Sequence, residues 1–352
     1  MTPMTRSDHL FGPLFMQKSQ EALWSSEAFL AHFKAYEIAL ANAAARVGLV
    51  TQEQAARAVE DIADFVPDLV GIEEGVKRDG LPVPAFVGQL KAHAREASRP
   101  AIHVGGTSQD LIDTAVSLIL GQANVMFVSQ LSEVTAALQT LEGDWGDQPL
   151  MGRTRMQAAL PILVRDRMET WRLPLVEGQG CLDELRKRVE ILQFGGAVGD
   201  RAAVAPFGEA MAAAMAEELG LHNPDRSWHS MRAPLADYAH WLSLVTASLA
   251  KMGQDLALMA QQGIEEVQFS GGGSSSAMPH KQNPVLAETL VALARYNAAQ
   301  LPLMHGALVH EQERSGAAWT VEWMTLPAMV STCTTALHHA RVLLSQVERL
   351  GR

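Results

Sequence analysis

The sequence predicts an all-α protein: a long central helical bundle, preceded by a small N-terminal helical domain. Three observations carry this. Segments rich in Ala, Leu, Glu and Lys run between Gly and Pro stops, several beyond the ~11–12-residue mean of globular helices. Alternating strand patterns bounded by turns are scarce, and β-branched residues do not cluster. Several segments, such as Leu242 to Leu249, are apolar on most faces. A helix of that kind must be covered all round.

The elements follow in order. Ser26 to Ala45 reads as a helix ending near Gly48, and Thr51 to Val66 as a second, stopped by Pro67. Pro67 to Pro84 has Gly or Pro at its ends and reads as a connecting loop. Pro82 to Arg99 is a third helix, closed by Pro100. Asp110 to Leu141 runs without proline and is the first long helix. Leu182 to Gln193 is shorter. Leu235 to Gln262 ends at Gly263, Asn283 to Val309 carries Pro302, and a last helix is expected from Pro327 to Leu350. Gln268 to Asn283 is a Gly/Ser-rich loop. The division expected is an N-terminal domain over 1–108 and a bundle domain over 109–352. More all-round apolar helices are present than one chain of this size buries, so partner subunits are expected to supply cover.

Composition narrows the function classes. The 352 residues hold 28 Lys and Arg against 39 Asp and Glu, a formal charge of −11, with 48% hydrophobic and 19% charged residues. That composition folds rather than staying disordered. An acidic balance argues against nucleic acid and against an anionic membrane surface as partner. Two cysteines, Cys181 and Cys333, exclude a disulfide framework and a Cys-rich zinc site, and point to a reducing, cytoplasmic setting. Met1 to Pro13 carries Arg6, Asp8 and His9 and does not read as a signal peptide. Ala115 to Val128, broken by Gly121, Gln122 and Asn124, falls short of the ~20 apolar residues of a membrane span. His338 and His339 are adjacent and point apart. His222 and His229 lie in a loop, and no His-x-x-x-His pair with a third carboxylate accompanies them, so no metal is expected.

Three segments carry chemistry. The loop Phe269 to Pro284 holds Gly and Ser, then Met278, Lys281 and Asn283-Pro284. Asn is a good N-cap and Pro fits a first turn, so the loop is expected to lead into a helix N-terminus that favours an anion. The second segment, His103-Val-Gly-Gly-Thr-Ser-Gln-Asp110, has capping-box spacing at Thr107 and Asp110, and a double glycine that lets a ligand approach the backbone. The third is Gly152-Arg153-Thr154-Arg155-Met156-Gln157, whose two arginines suit carboxylates.

In this order and spacing the three segments resemble the motifs of the fumarase/aspartase superfamily. Ser275 to Pro284 resembles its Ser-Ser-x-Met-Pro-x-Lys-x-Asn-Pro signature, with Ser274 where glycine is usual. Gly152 to Gln157 resembles its Gly-Arg-Thr-His-x-Gln motif, with Arg155 in place of the histidine. The resemblance implies an all-helical homotetramer whose active sites each draw on three subunits, and a cofactor-free reaction. It makes Ser275 the residue that moves the proton next to a carboxylate, and Lys281 the cation that supports the charge. Glu288 matches the glutamate that orients the residue at the Arg155 position. His103, Thr107, Ser108, Gln109, Arg153, Thr154, Arg155, Ser276, Met278, Asn283 and Arg314 are the implied substrate contacts. Full-length members usually continue into a small C-terminal domain, which is expected to be largely absent here.

Arg155 selects among the reactions of the superfamily. A departing hydroxide or amine needs a proton donor, whereas a carboxylate, with a pKa of ~4, attacks or leaves unprotonated. A guanidinium pairs with it in a bidentate fork. The expected reaction is therefore a lactonisation, and the resemblance to lactonising members implies a small tricarboxylate as substrate. Glu311 to Trp323, Leu10 to Phe15 and the helix with Tyr36 and Glu37 resemble the lactonising subgroup. A sulfonated analogue as substrate, a β-elimination like that of adenylosuccinate lyase, and an inactive helical scaffold are the other readings.

Overall fold

The computed structural model describes residues 10–274, 278 and 282–352, and only the backbone of Lys18, Ser19, Gln20 and Ser274. Two short helices, α1 (Gly12–Phe15) and α2 (Lys18–Leu23), lead into α3 (Ser26–Arg46), which Ser25 caps by accepting from the Ala28 amide at 3.1 Å. α4 (Gln52–Asp64) opens with a capping box: the Thr51 hydroxyl accepts from Gln54 N and the Gln54 side chain accepts from Thr51 N. α5 (Leu69–Asp79), α6 (Val83–His93) and α7 (Ser108–Trp145) follow. The strands β1 (Pro149–Thr154) and β2 (Gln157–Leu163) pair as an antiparallel hairpin. Next come α8 (Val164–Val189), α9 (Gly208–Leu219) and α10 (Ala233–Met259). β3 (Val267–Phe269), β4 (Gly273–Ser274) and β5 (Gln282–Asn283) precede α11 (Val285–Gly306) and α12 (Ala317–Ser345), and β6 (Val347–Leu350) closes the chain. β3 pairs with β6 and β4 with β5, both antiparallel.

α7, α8, α10, α11 and α12 pack side by side as a bundle. Its core runs from Leu120, Phe127 and Leu138 of α7 to Leu242 and Leu256 of α10 and Met329 and Leu337 of α12. A second core gathers Phe33 and Leu40 of α3, Ile62, Phe86 and Leu90 with Leu111 and Ile112 at the start of α7. Leu192, Phe194, Val204 and Met211 join the second core, so a segment C-terminal to α8 folds back onto the N-terminal helices. An 18-residue window of α7 is apolar enough to cross a membrane, and 67% of it is buried inside the protein.

The structure corrects several element boundaries. Pro67 to Pro84 is not all loop, because α5 forms between the Asp68 cap, which accepts from Val70 N, and Gly80 in the left-handed region. α8 starts at Val164, far before Leu182. Its buried positions Val164, Met168, Trp171, Leu175, Leu182 and Val189 keep a helical period straight through Pro174. α12 starts at Ala317 and carries Pro327 inside it. α9 was not expected at all. Asn283 is not a helix cap: it pairs with Gly273 in the β4–β5 ribbon, and Pro284 takes the N-cap place.

Candidate active site

The chemistry of the second motif begins at the entrance to α7. His103 sits in the left-handed region at φ 58, uncommon for a residue with a Cβ. It is held there by Glu37 of α3. Glu37 Oε2 accepts from the His103 backbone amide at 2.7 Å, and Oε1 lies 2.7 Å from His103 Nδ1. Gly105, at φ 71, must be glycine, because a Cβ there would lie 2.3 Å from Val204 Cγ1. Gly196 packs face to face with it, its missing Cβ 2.8 Å from Gly105 O.

Asp110 ties these two loops to the helix. It is fully buried and accepts from Gly195 N at 3.0 Å, Gly196 N at 2.9 Å and Thr107 N at 3.0 Å. His229 Nε2 lies 2.8 Å from the same carboxylate. The Thr107 hydroxyl accepts from Arg314 Nη1 at 3.3 Å, and Arg314 Nη2 donates to Ala197 O at 3.2 Å. Ser108 is half-buried in the first turn of α7. The structure thus brings His103, Thr107, Ser108 and Arg314 together around a helix N-terminus, where anions are favoured.

Gln109 faces the other way. It is fully buried, and its amide donates to His229 O at 2.9 Å and Asp113 Oδ2 at 3.1 Å. Both of its donors are committed inside the chain. It borders a buried ionic layer. Arg232 donates to both oxygens of Asp113, at 2.7 and 3.0 Å, and to both oxygens of Glu322, at 2.9 and 2.5 Å. Trp319 Nε1 and Gln193 Nε2 also donate to Asp113. Burial alone would raise the Asp113 carboxyl, but the charge and hydrogen bonds of Arg232, with the Gln193 donor, outweigh it and hold the group below its usual range. The layer flanks a cavity of about 910 Å³ lined by Trp24, Phe33, Tyr296 and Trp323.

The third motif lies elsewhere, on the β1–β2 hairpin. Arg155 and Met156 have φ 49 and 66, the left-handed pair of a two-residue type I′ turn. Gly152 is obligatory, as a Cβ would lie 2.7 Å from Leu160 O. Arg153 points to Glu266, donating to its oxygens at 2.8 and 2.6 Å. Glu266 is fully buried, so Arg153 anchors the hairpin. Thr154 and Arg155 are exposed, and among the described residues no carboxylate pairs with Arg155. Glu288 is exposed on the first turn of α11 and makes no ion pair with Arg155 within the chain. Met278 is exposed and Asn283 half-buried. Ser275, Ser276 and Lys281 lie outside the described residues.

Sequence reasoning missed Arg232, Glu322, Glu266, the tie of Glu37 to His103 and the partnership of Asp110 with His229. Each pair is far apart in sequence, 66 residues for Glu37 and His103 and 90 for Arg232 and Glu322, so no local spacing announces it.

Comparison with known proteins agrees with this architecture. The family model described as Lyase matches residues 7–296. The 3-carboxy-cis,cis-muconate cycloisomerase of Pseudomonas aeruginosa is 35% identical over 97% of this chain and 76% of its own length. The nitrosuccinate lyase of Streptomyces davaonensis is 32% identical over 96% of this chain and 74% of its own. The solved structure of the 3-carboxy-cis,cis-muconate lactonizing enzyme from Pseudomonas putida superposes with a TM-score of 0.89 at 32% identity, covering 97% of this chain and 77% of that one. With the motifs, the helical bundle and these matches in agreement, the chain belongs to the Lyase family of the fumarase/aspartase superfamily and is an enzyme of the intramolecular lyase type.

Proposed function

We propose that the chain is a 3-carboxy-cis,cis-muconate cycloisomerase of protocatechuate breakdown, acting as a cytoplasmic homotetramer without a cofactor. The observation that carries this is Arg155, exposed at the tip of the β1–β2 turn with no carboxylate partner among the described residues. A relative with that name covers nearly the whole chain.

In the reaction, one substrate carboxylate oxygen bonds to the ring-closing carbon of the diene. The electron pair displaced from the double bond collects on the carbon next to another carboxylate. Ser275 gives that carbon a proton, so the lactone is an isomer of the substrate. Because the charge spreads onto a carboxylate, Lys281 and Asn283 at the approach to α11 stabilise it. Arg155 holds the attacking carboxylate, oriented by Glu288 of another subunit, while His103, Thr107, Ser108 and Arg314 receive the remaining carboxylates. Thr154, Ser276 and Met278 complete the pocket wall. A tricarboxylate meets several cations here, so no metal is needed to balance it.

A second reading, β-elimination, is favoured by the nitrosuccinate lyase at similar identity. Arg155→His separates the two. For lactonisation, kcat/KM is expected to fall about tenfold or more, since a charge-assisted bond is worth about 1.5–3 kcal/mol. Unchanged or higher turnover in that variant, measured by steady-state kinetics, would favour elimination with a protonated leaving group.

A further inference from the structure

We infer that Glu37 is a positioning residue for substrate binding: it fixes both the backbone and the ring of His103, so that Nε2 alone faces the anion site. The inference rests on the reading of His103 as a substrate contact. Glu37 is fully buried, whereas the His103 side chain is 16% exposed, so the ring runs from the protein interior to its surface. Oε2 takes the backbone amide and Oε1 takes the ring, each at 2.7 Å. A carboxylate that accepts at both oxygens places the proton on Nδ1. No described residue bonds Nε2. The same two bonds hold His103 in the left-handed region, a strained conformation that needs its surroundings to enforce it. Arg314 and Thr107 stand at the exposed end of the same loop.

Glu37→Gln tests this because the amide offers one acceptor and one donor. If its oxygen keeps the backbone amide, its NH2 faces Nδ1. The ring must then turn its lone pair inward and carry its proton on Nε2. By analogy with the carboxylates that orient metal-bound histidines, a loss of about 10–100-fold is expected. The experiment is a double-mutant cycle of Glu37→Gln and His103→Gln on turnover of 3-carboxy-cis,cis-muconate, with histidine nitrogen shifts recorded on isotope-labelled wild type and Glu37→Gln. His103 is assigned by the signal lost in His103→Gln.

The expected results are a rise in KM of about 10–100-fold in Glu37→Gln with a smaller change in kcat, and a double variant no worse than His103→Gln. The wild-type ring is expected to show a protonated Nδ1, and the Glu37→Gln ring a protonated Nε2. Losses that multiply in the double variant, or a wild-type His103 protonated only at Nε2, would overturn the inference. If the wild type leaves the muconate untouched, the proposed function fails, and the nitrogen shifts still decide the role of Glu37. If Glu37→Gln does not fold, the wild-type shifts decide it alone.

Discussion

Ser275→Ala is expected to lower kcat by about 10²–10⁴-fold, the range for losing a positioned proton-transfer group, while KM changes little. A serine hydroxyl is a weak acid and a weak base, so it acts only where cations and amides support its charged form. The sequence places Lys281 six positions on and the N-terminus of α11 just beyond it. Those two features give the loop its chemistry, because Gly and Ser alone would make it a linker. Steady-state kinetics together with thermal melting of the variant checks the prediction. Near-normal turnover with an intact fold would remove Ser275 from the mechanism.

Arg232→Met is expected to destabilise the protein by about 3–5 kcal/mol, measured by urea unfolding, because two buried carboxylates lose their common partner. Asp113 and Glu322 are 1% and 4% exposed, so water cannot replace the guanidinium. Combining the change with Asp113→Asn and Glu322→Gln should recover much of the loss, since the remaining groups are then neutral. The pH dependence has a definite sign. The folded Asp113 carboxyl is held below its usual range, so its contribution is present above the unfolded value of ~3.9 and is lost as the pH falls through the lower folded value. Wild-type stability should therefore drop in acid below about pH 4, and this part of the slope should vanish when Asp113 is Asn.

This ionic layer marks the limit of what the sequence makes legible. The long helices are plain because Ala and Leu dominate them, and the bundle follows from their all-round apolar faces. The motif loops are plain because glycine pairs, prolines and cations sit at short fixed spacings. α8 is harder, since Pro174, Gly178 and Gly180 interrupt a pattern whose buried positions still recur at helical intervals. The β1–β2 hairpin is nearly illegible. β2 reads Gln-Ala-Ala-Leu-Pro-Ile-Leu and is mostly exposed, so it shows no alternation, and its turn uses Arg155 and Met156 rather than Asn-Gly. Only the tertiary fold reveals that Arg153 belongs to Glu266 and Arg155 to the surface. The links from Glu37 to His103 and from Asp110 to the Gly195–Gly196 turn need the second core, which joins α3, α7 and the segment before α9.

The most direct test of the proposed activity is the loss of diene absorbance of 3-carboxy-cis,cis-muconate when purified protein is added with chelator present. Rapid loss with the lactone as sole product is the result predicted. Retained absorbance, with turnover of a nitrosuccinate or adenylosuccinate instead, would contradict lactonisation and the assignment of Arg155 to a substrate carboxylate.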